Sequence, residues 1–253
     1  MNMKSCINTC NFYIGLALVA FILGVPAARA TVTFTYSGTS SIGTPVSFEA
    51  DLTLASGKLT VQLFNNSPTN SLGPNDALGS FYFDIVGAGN TRPTLTYSSA
   101  VGDVYLGSRT STDTLQTHNA NLMAVNDGDD TWQFQTMSPT SNPFLGFGIG
   151  TVGNNGITPN NFQGSIVGGV DYAIYRNEVI TQNLDDKLLV KNTATFKFTG
   201  LAGFTESDIA HSVAFGLGTA PDSIHFVTVP EPSSVSLAMA GIILLGLLGR
   251  KRH

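Results

Sequence analysis

Apolar and polar residues alternate one for one through much of the chain between residues 31 and 229. Val32, Phe34 and Tyr36 alternate with Thr33 and Thr35, and Val46, Phe48, Ala50, Leu52 and Leu54 alternate with Ser47, Glu49, Asp51 and Thr53. Successive side chains of a strand point to opposite faces, so a segment with this period buries one face and wets the other. Leu59, Val61 and Leu63 resume the pattern after Ser56-Gly57-Lys58, which makes 46–64 a hairpin with a short Gly-containing turn. Further strands are expected at 79–86, 94–98, 121–125, 131–137, 145–151, 165–176, 193–199, 212–217 and 224–229. Helix is scarce. The best candidate is 206–211, where Thr205 and Asp208 have capping-box spacing, and 181–189 reads as a short turn or loop. No repeat of fixed period occurs, which disfavours a solenoid, and the Gly/Asn-rich stretch 146–164 is read as loops around one strand. The expectation for 31–229 is an all-β domain, an antiparallel sandwich or jelly-roll-like fold.

Composition excludes several functions. Of 253 residues 11% are charged, where soluble domains usually carry about 25%. Twelve basic against 17 acidic residues cannot supply the phosphate-neutralising patch of a nucleic-acid binder. A 42% hydrophobic fraction is too high for a charged, solvating disordered chain.

The two ends have a different character. Lys4 precedes the uncharged apolar run 12–25, followed by Pro26 and Ala28-Arg29-Ala30. A basic start, a short apolar segment and small residues at Ala28 and Ala30 form a secretory signal peptide over 1–30, with cleavage expected after Ala30 by signal peptidase. Both cysteines, Cys6 and Cys10, lie before that cut, so the mature chain is expected to hold no disulfide. Without the two ends, 31–229 carries 7 basic and 16 acidic residues, a formal charge of -9 against -5 for the whole chain.

At the other end, Pro230-Glu231-Pro232 leads into residues 233–249, which carry no charge, and then Arg250-Lys251-Arg252-His253. The 18 residues from Pro232 to Gly249 would span about 27 Å as a helix, enough for a bilayer core. Arg250, Lys251 and Arg252 would stop transfer on the cytoplasmic side, leaving the domain outside. This order resembles the PEP-CTERM sorting signal of exported proteins of Gram-negative bacteria. The resemblance covers 230–253: motif 230–232, single transmembrane helix 233–249 and basic end 250–253. It implies recognition by a membrane protease of the exosortase type, transient anchoring in the inner membrane, and release to the cell surface or into exopolysaccharide and biofilm matrix. A permanent tail anchor is the other reading. Upstream, 188–219, with Phe196-Lys197-Phe198, Ser207-Asp208-Ile209 and Phe215-Gly216-Leu217-Gly218-Thr219, resembles the last strands of such surface proteins, except that Leu217 stands where an aromatic is usual.

Within 31–229 no nucleophile elbow, zinc-protease helix or phosphate loop occurs. His118, His211 and His225 are widely spaced and are expected at the surface or at strand ends. The densest acidic run, Asn126-Asp127-Gly128-Asp129-Asp130, could offer calcium three carboxylates, but it equally suits a solvated turn between the strands 121–125 and 131–137. Trp132 shares a strand face with Phe134 and is expected in the core. Tyr82, Tyr97, Tyr105, Tyr172 and Tyr175 are candidates for an exposed sugar-stacking platform. The expected function is that of a surface or matrix protein with a structural or adhesive domain, without enzymatic activity, cofactor or nucleic-acid partner. A carbohydrate-binding module recognising exopolysaccharide is the alternative, and a hydrolase built on Asp127 and Asp129 a remote third. If the acidic run is a solvated turn, the melting temperature of 31–229 stays unchanged on adding calcium or chelator; a rise with calcium reversed by chelator would instead make Asp127, Asp129 and Asp130 ligands.

Overall fold

A computed structural model describes residues 31–123, 132–137, 146–151, 171–178, 184–218 and 224–228. Ala28 and Ala30 of the expected signal peptide, the acidic run with Asp127, Asp129 and Asp130, and the expected sorting tail with Pro230, Glu231, Pro232, Arg250, Lys251 and Arg252 lie outside the described residues. No described helix is long and apolar enough to cross a membrane.

The described chain is all-β, with twelve strands: β1 (Thr31–Thr39), β2 (Pro45–Ala55), β3 (Lys58–Asn65), β4 (Leu78–Phe83), β5 (Thr96–Leu106), β6 (Thr114–Asn121), β7 (Gln133–Thr136), β8 (Phe147–Gly150), β9 (Ile174–Tyr175), β10 (Leu188–Thr199), β11 (Ser212–Leu217) and β12 (Ile224–Thr228). One antiparallel run has the order β1-β2-β3-β10-β5-β6 and a second the order β12-β11-β4-β8-β7. The two-residue strand β9 joins them, antiparallel to β4 and parallel to β10. That parallel pair makes the sheet mixed where a wholly antiparallel one was expected.

The β2–β3 hairpin forms as its pattern predicts. Ser56 and Gly57 both take positive φ, 51° and 70°, the conformation whose twist matches the flanking strands. Leu54 is thereby set opposite Leu59, and Leu52 opposite Val61, on the buried face. Aromatic side chains connect the two runs: Phe48 of β2 lies 6.4 Å from Phe215 of β11, Phe83 of β4 lies 6.0 Å from Phe198 of β10, and Phe134 of β7 lies 5.0 Å from Phe198. The runs therefore face each other across a common core, in a sandwich-like arrangement. Trp132 is 1% exposed, as expected. It packs 4.8 Å from Phe196 and donates its indole N–H to the Tyr172 carbonyl at 2.8 Å.

Several strands differ from the pattern-based expectation. β5 runs on to Leu106 rather than ending at 98, because its inward positions are Ala100, Gly102 and Val104, two of which are too small to register as an apolar period. β6 occupies 114–121, and residues 122–123 form a turn where a strand over 121–125 was expected. Almost all of β6 is exposed, so its sequence carries no alternation. β10 begins at Leu188, within the segment read as a loop; Leu189 and Val190 are both fully buried, which replaces alternation by an apolar run. Of the strand expected over 165–176, the described part is a turn at 171–172 followed by β9 alone. The helix expected at 206–211 is a single 3₁₀ turn, Glu206–Asp208. Its capping box is present: Asp208 Oδ2 accepts the Thr205 backbone N–H at 2.7 Å and the Thr205 hydroxyl at 3.0 Å.

Phe198 touches Phe83, Tyr97 and Phe134 and is 0% exposed. Denaturant unfolding of 31–229 should show Phe198→Ala losing about 3–5 kcal/mol. Thr195→Ala, on the opposite face of the same strand, should stay within about 0.5 kcal/mol.

Candidate functional site

The densest set of ionisable side chains among the described residues gathers where β10 changes partners. In β10, Val190 faces Val104 and Ala194 faces Gly102, so Lys191, Asn192 and Thr193 stand against Asp103 alone. This bulge places Asn192 at φ 64° and leaves Lys191 without a partner in β5, while on the other edge it pairs with Tyr175 of β9. Gly102 is required opposite it, because a Cβ there would lie 2.8 Å from Val190 Cγ1.

Lys191 Nζ sits 2.9 Å from Glu178 Oε1, 4.7 Å from the centre of the Tyr105 ring and 5.9 Å from that of Tyr175. The other Glu178 oxygen accepts the Asp113 backbone N–H at 3.0 Å. Asp113, 6% exposed, accepts a hydrogen bond from the Tyr175 hydroxyl on Oδ2 at 2.7 Å and one from the Ser108 N–H on Oδ1 at 2.9 Å. Burial pushes the Tyr175 hydroxyl pKa strongly up, and the bond to Asp113 raises it further, so Tyr175 remains a donor. Burial pushes the Glu178 carboxyl up, but the Asp113 N–H and the Lys191 ammonium outweigh it and hold the carboxyl below its ordinary value.

Two flanking ion pairs close the surrounding loops. Arg109 pairs with Asp185 at 3.0 Å and Lys187 with Asp171 at 3.8 Å, while Gly107 N–H bonds to the Lys187 carbonyl and Asp186 N–H to the Gly107 carbonyl. Loop 107–113 is thus held to 171–178 and 184–187 from several sides. Chemically, the arrangement is a lock. The lysine is neutralised by Glu178 and covered by aromatic faces, and both oxygens of Asp113 and of Glu178 accept protein donors.

A second charged pair is structural in the same sense. Arg92 forks onto the buried Asp84, Nη2 to Oδ2 at 2.8 Å and Nε to Oδ1 at 3.0 Å, while Asp84 Oδ1 also accepts the Ile85 N–H.

The structure does not assemble the expected tyrosine platform. Tyr82 and Tyr175 are 1% and 0% exposed, because β4 and β9 are covered on both faces, and Tyr172, in the turn before β9, is 4% exposed; only Tyr97 and Tyr105 of the five are half-buried. His118 and His211 are exposed, as expected, and His118 Nδ1 lies 2.8 Å from Asp103 Oδ1. His225 instead stacks on Tyr36 at 4.3 Å, where burial lowers its pKa. Among the described residues no three His, Cys, Asp or Glu side chains come together as a metal site. Sequence reasoning missed the Asp113–Tyr175–Glu178–Lys191 cluster, since its members lie on three separated segments; the signal available was the run Leu188-Leu189-Val190-Lys191-Asn192, whose polar end marks the bulge.

No family model and no curated protein matches the chain. Among solved structures it is similar to the KRT10-binding region domain of the pneumococcal serine-rich repeat protein PsrP, at 13% identity over 79% of this chain and 99% of that one, with a TM-score of 0.26. At that score the likeness assigns neither fold nor activity.

Because its carboxyl is held below the ordinary value, the Glu178 contribution is fully present above the unfolded carboxyl pKa and is lost as the pH falls from there through the lowered folded value. Thermal melts of wild type and Glu178→Gln should therefore differ at pH 7 and converge toward pH 3. Tyr175→Phe removes a buried donor from Asp113 and should cost about 1–3 kcal/mol at pH 7.

Proposed function

We propose that this chain is an exported surface or matrix protein, sorted through its C-terminal tail by an exosortase-type protease, with a structural or adhesive β domain. The observation that carries this reading is the tail: Pro230-Glu231-Pro232, the uncharged run 233–249 and Arg250-Lys251-Arg252 follow one another in that order. The other end is consistent with it, since Lys4, the run 12–25 and Ala28-Arg29-Ala30 are the parts of a secretory address. The domain supports the structural half of the reading, because its main ionisable cluster engages its charges internally and holds loops together. On this account the partners are signal peptidase, the sorting protease and the membrane, met in that sequence on the way to the cell surface.

A carbohydrate-binding module is the second reading, and the outward face of the first run favours it. Thr31, Thr53 and Thr60 form one cross-strand row there, and Thr33, Asp51, Gln62 and Thr195 form the next. Hydroxyl, carboxylate and amide groups spread over four strands are the hydrogen-bonding groups a polysaccharide chain would meet.

Replacing Pro230, Glu231 and Pro232 together by alanine should leave an uncut precursor in the membrane fraction, while the wild-type domain is recovered outside the cell. Normal processing of the triple variant would remove the sorting claim. On a glycan array, fragment 31–229 should give no saturable signal if the domain is structural; saturable binding lost on substituting Gln62 and Thr195 would establish the second reading.

A further inference from the structure

The last described strand ends very close to the sorting motif. Thr228 closes β12, and Val229 alone separates it from Pro230. An extended chain covers about 3.3–3.6 Å per residue, so this linker holds the motif within about 7 Å of the strand end. A protease reads its substrate as an extended segment, largely through main-chain hydrogen bonds, and a strand paired in a sheet has already committed half of those groups. A membrane protease acting at 230–232 would meet β12 and the folded domain before it could seat more than one residue upstream of the motif.

β12 is also weakly held. It has five residues, none of them fully buried, pairs with β11 alone, and touches the core only through the partly buried Ile224 and Val227. Phe226 is 57% exposed. The far edge of β12 faces β1, where the Tyr36–His225 stack at 4.3 Å stands in place of a backbone ladder. β11, by contrast, buries five of its six residues and is bonded on both sides, to β12 and to β4. Opening the sheet between β11 and β12 thus leaves the packed core of β11 and β4 in place.

We propose that β12 is a release strand: it peels from β11 to seat residues 224–229 in the sorting protease, and returns to β11 once the tail is cut. The proposal rests on the sorting reading above. The cut itself is hydrolysis of one peptide bond, in which water is consumed and a carboxylate and an ammonium group are formed. The contribution of this chain is the length of unpaired strand that the reaction requires.

The test is a staple across the pairing that must open. Ser212 and Thr228 are register partners, as are Ala214 and Phe226, and beyond Cys10 the chain has no cysteine to compete. The double variants Ser212→Cys/Thr228→Cys and Ala214→Cys/Phe226→Cys are made in the full-length chain in its producing cell, and the bridged fraction is read on non-reducing gels. Bridged chains should be cut about tenfold more slowly than wild type or the single-cysteine variants, with reductant restoring the rate. Cutting of the bridged chain at the wild-type rate would overturn the proposal. His225→Ala, which removes the seam stack without any bridge, should speed cutting, and an unchanged rate counts against a peeling step. If the wild-type chain itself keeps its tail, the sorting reading fails and takes this proposal with it, a result distinct from a wild-type chain that is cut and a bridged one that is cut equally fast.

Discussion

One strand, β10, links the two halves of the fold, through β9 on its edge and through the aromatic side chains of its inward face. The C-terminal part of β10, from Thr193 to Thr199, is bonded to β3 on one edge and to β5 on the other; its N-terminal part exchanges β3 for β9. Along one edge β3 stops at Thr193 and β9 takes up Val190 and Lys191, and on the β5 edge the three-against-one bulge at 191–193 falls at the same point. Phe196 and Phe198, on the inward side of the regular half, meet Trp132, Phe83 and Phe134. Lys191, at the bulge, meets Glu178 and the rings of Tyr105 and Tyr175. The aromatic core and the ionic lock are thus built on successive parts of the same strand.

Charge is distributed in keeping with that plan. The domain has 7 basic residues against 16 acidic ones. Arg92, Arg109, Lys187 and Lys191 each pair with a carboxylate, and Arg176 donates through Nε to the Ser67 carbonyl at 3.1 Å. Most of the scarce positive charge thus ties loops to strands, and the acidic excess sets the sign of the domain's net charge. A net charge far from zero favours solubility.

How much of this was legible in the sequence depended on which faces are buried. β2, β3 and β11 have the burial that their patterns imply, one face in and one out or nearly continuous, and their positions were read within about a residue. β6 was missed because a strand with both faces in water has no apolar period to detect. The first half of β10 was missed for the opposite reason, being buried on both faces. Tyr82 and Tyr175 looked like surface aromatics because a tyrosine carries a polar tip; Tyr175 satisfies that tip inside, on Asp113. Its partners come from segments more than 60 residues apart in sequence, a distance no local pattern bridges. The capping box at Thr205 and Asp208 was legible because it is local, although it supports one 3₁₀ turn and no longer helix.

In the proposed function the tail sets the domain's destination, and in the sequence the last described strand ends one residue short of the tail motif. The most direct measurement of the account is mass determination of both ends of the protein recovered from outside the producing cell. The account predicts a product that begins at Thr31 and has lost residues 233–253. A chain that retains Arg250, Lys251 and Arg252, or that still begins at Met1 inside the cytoplasm, would contradict it.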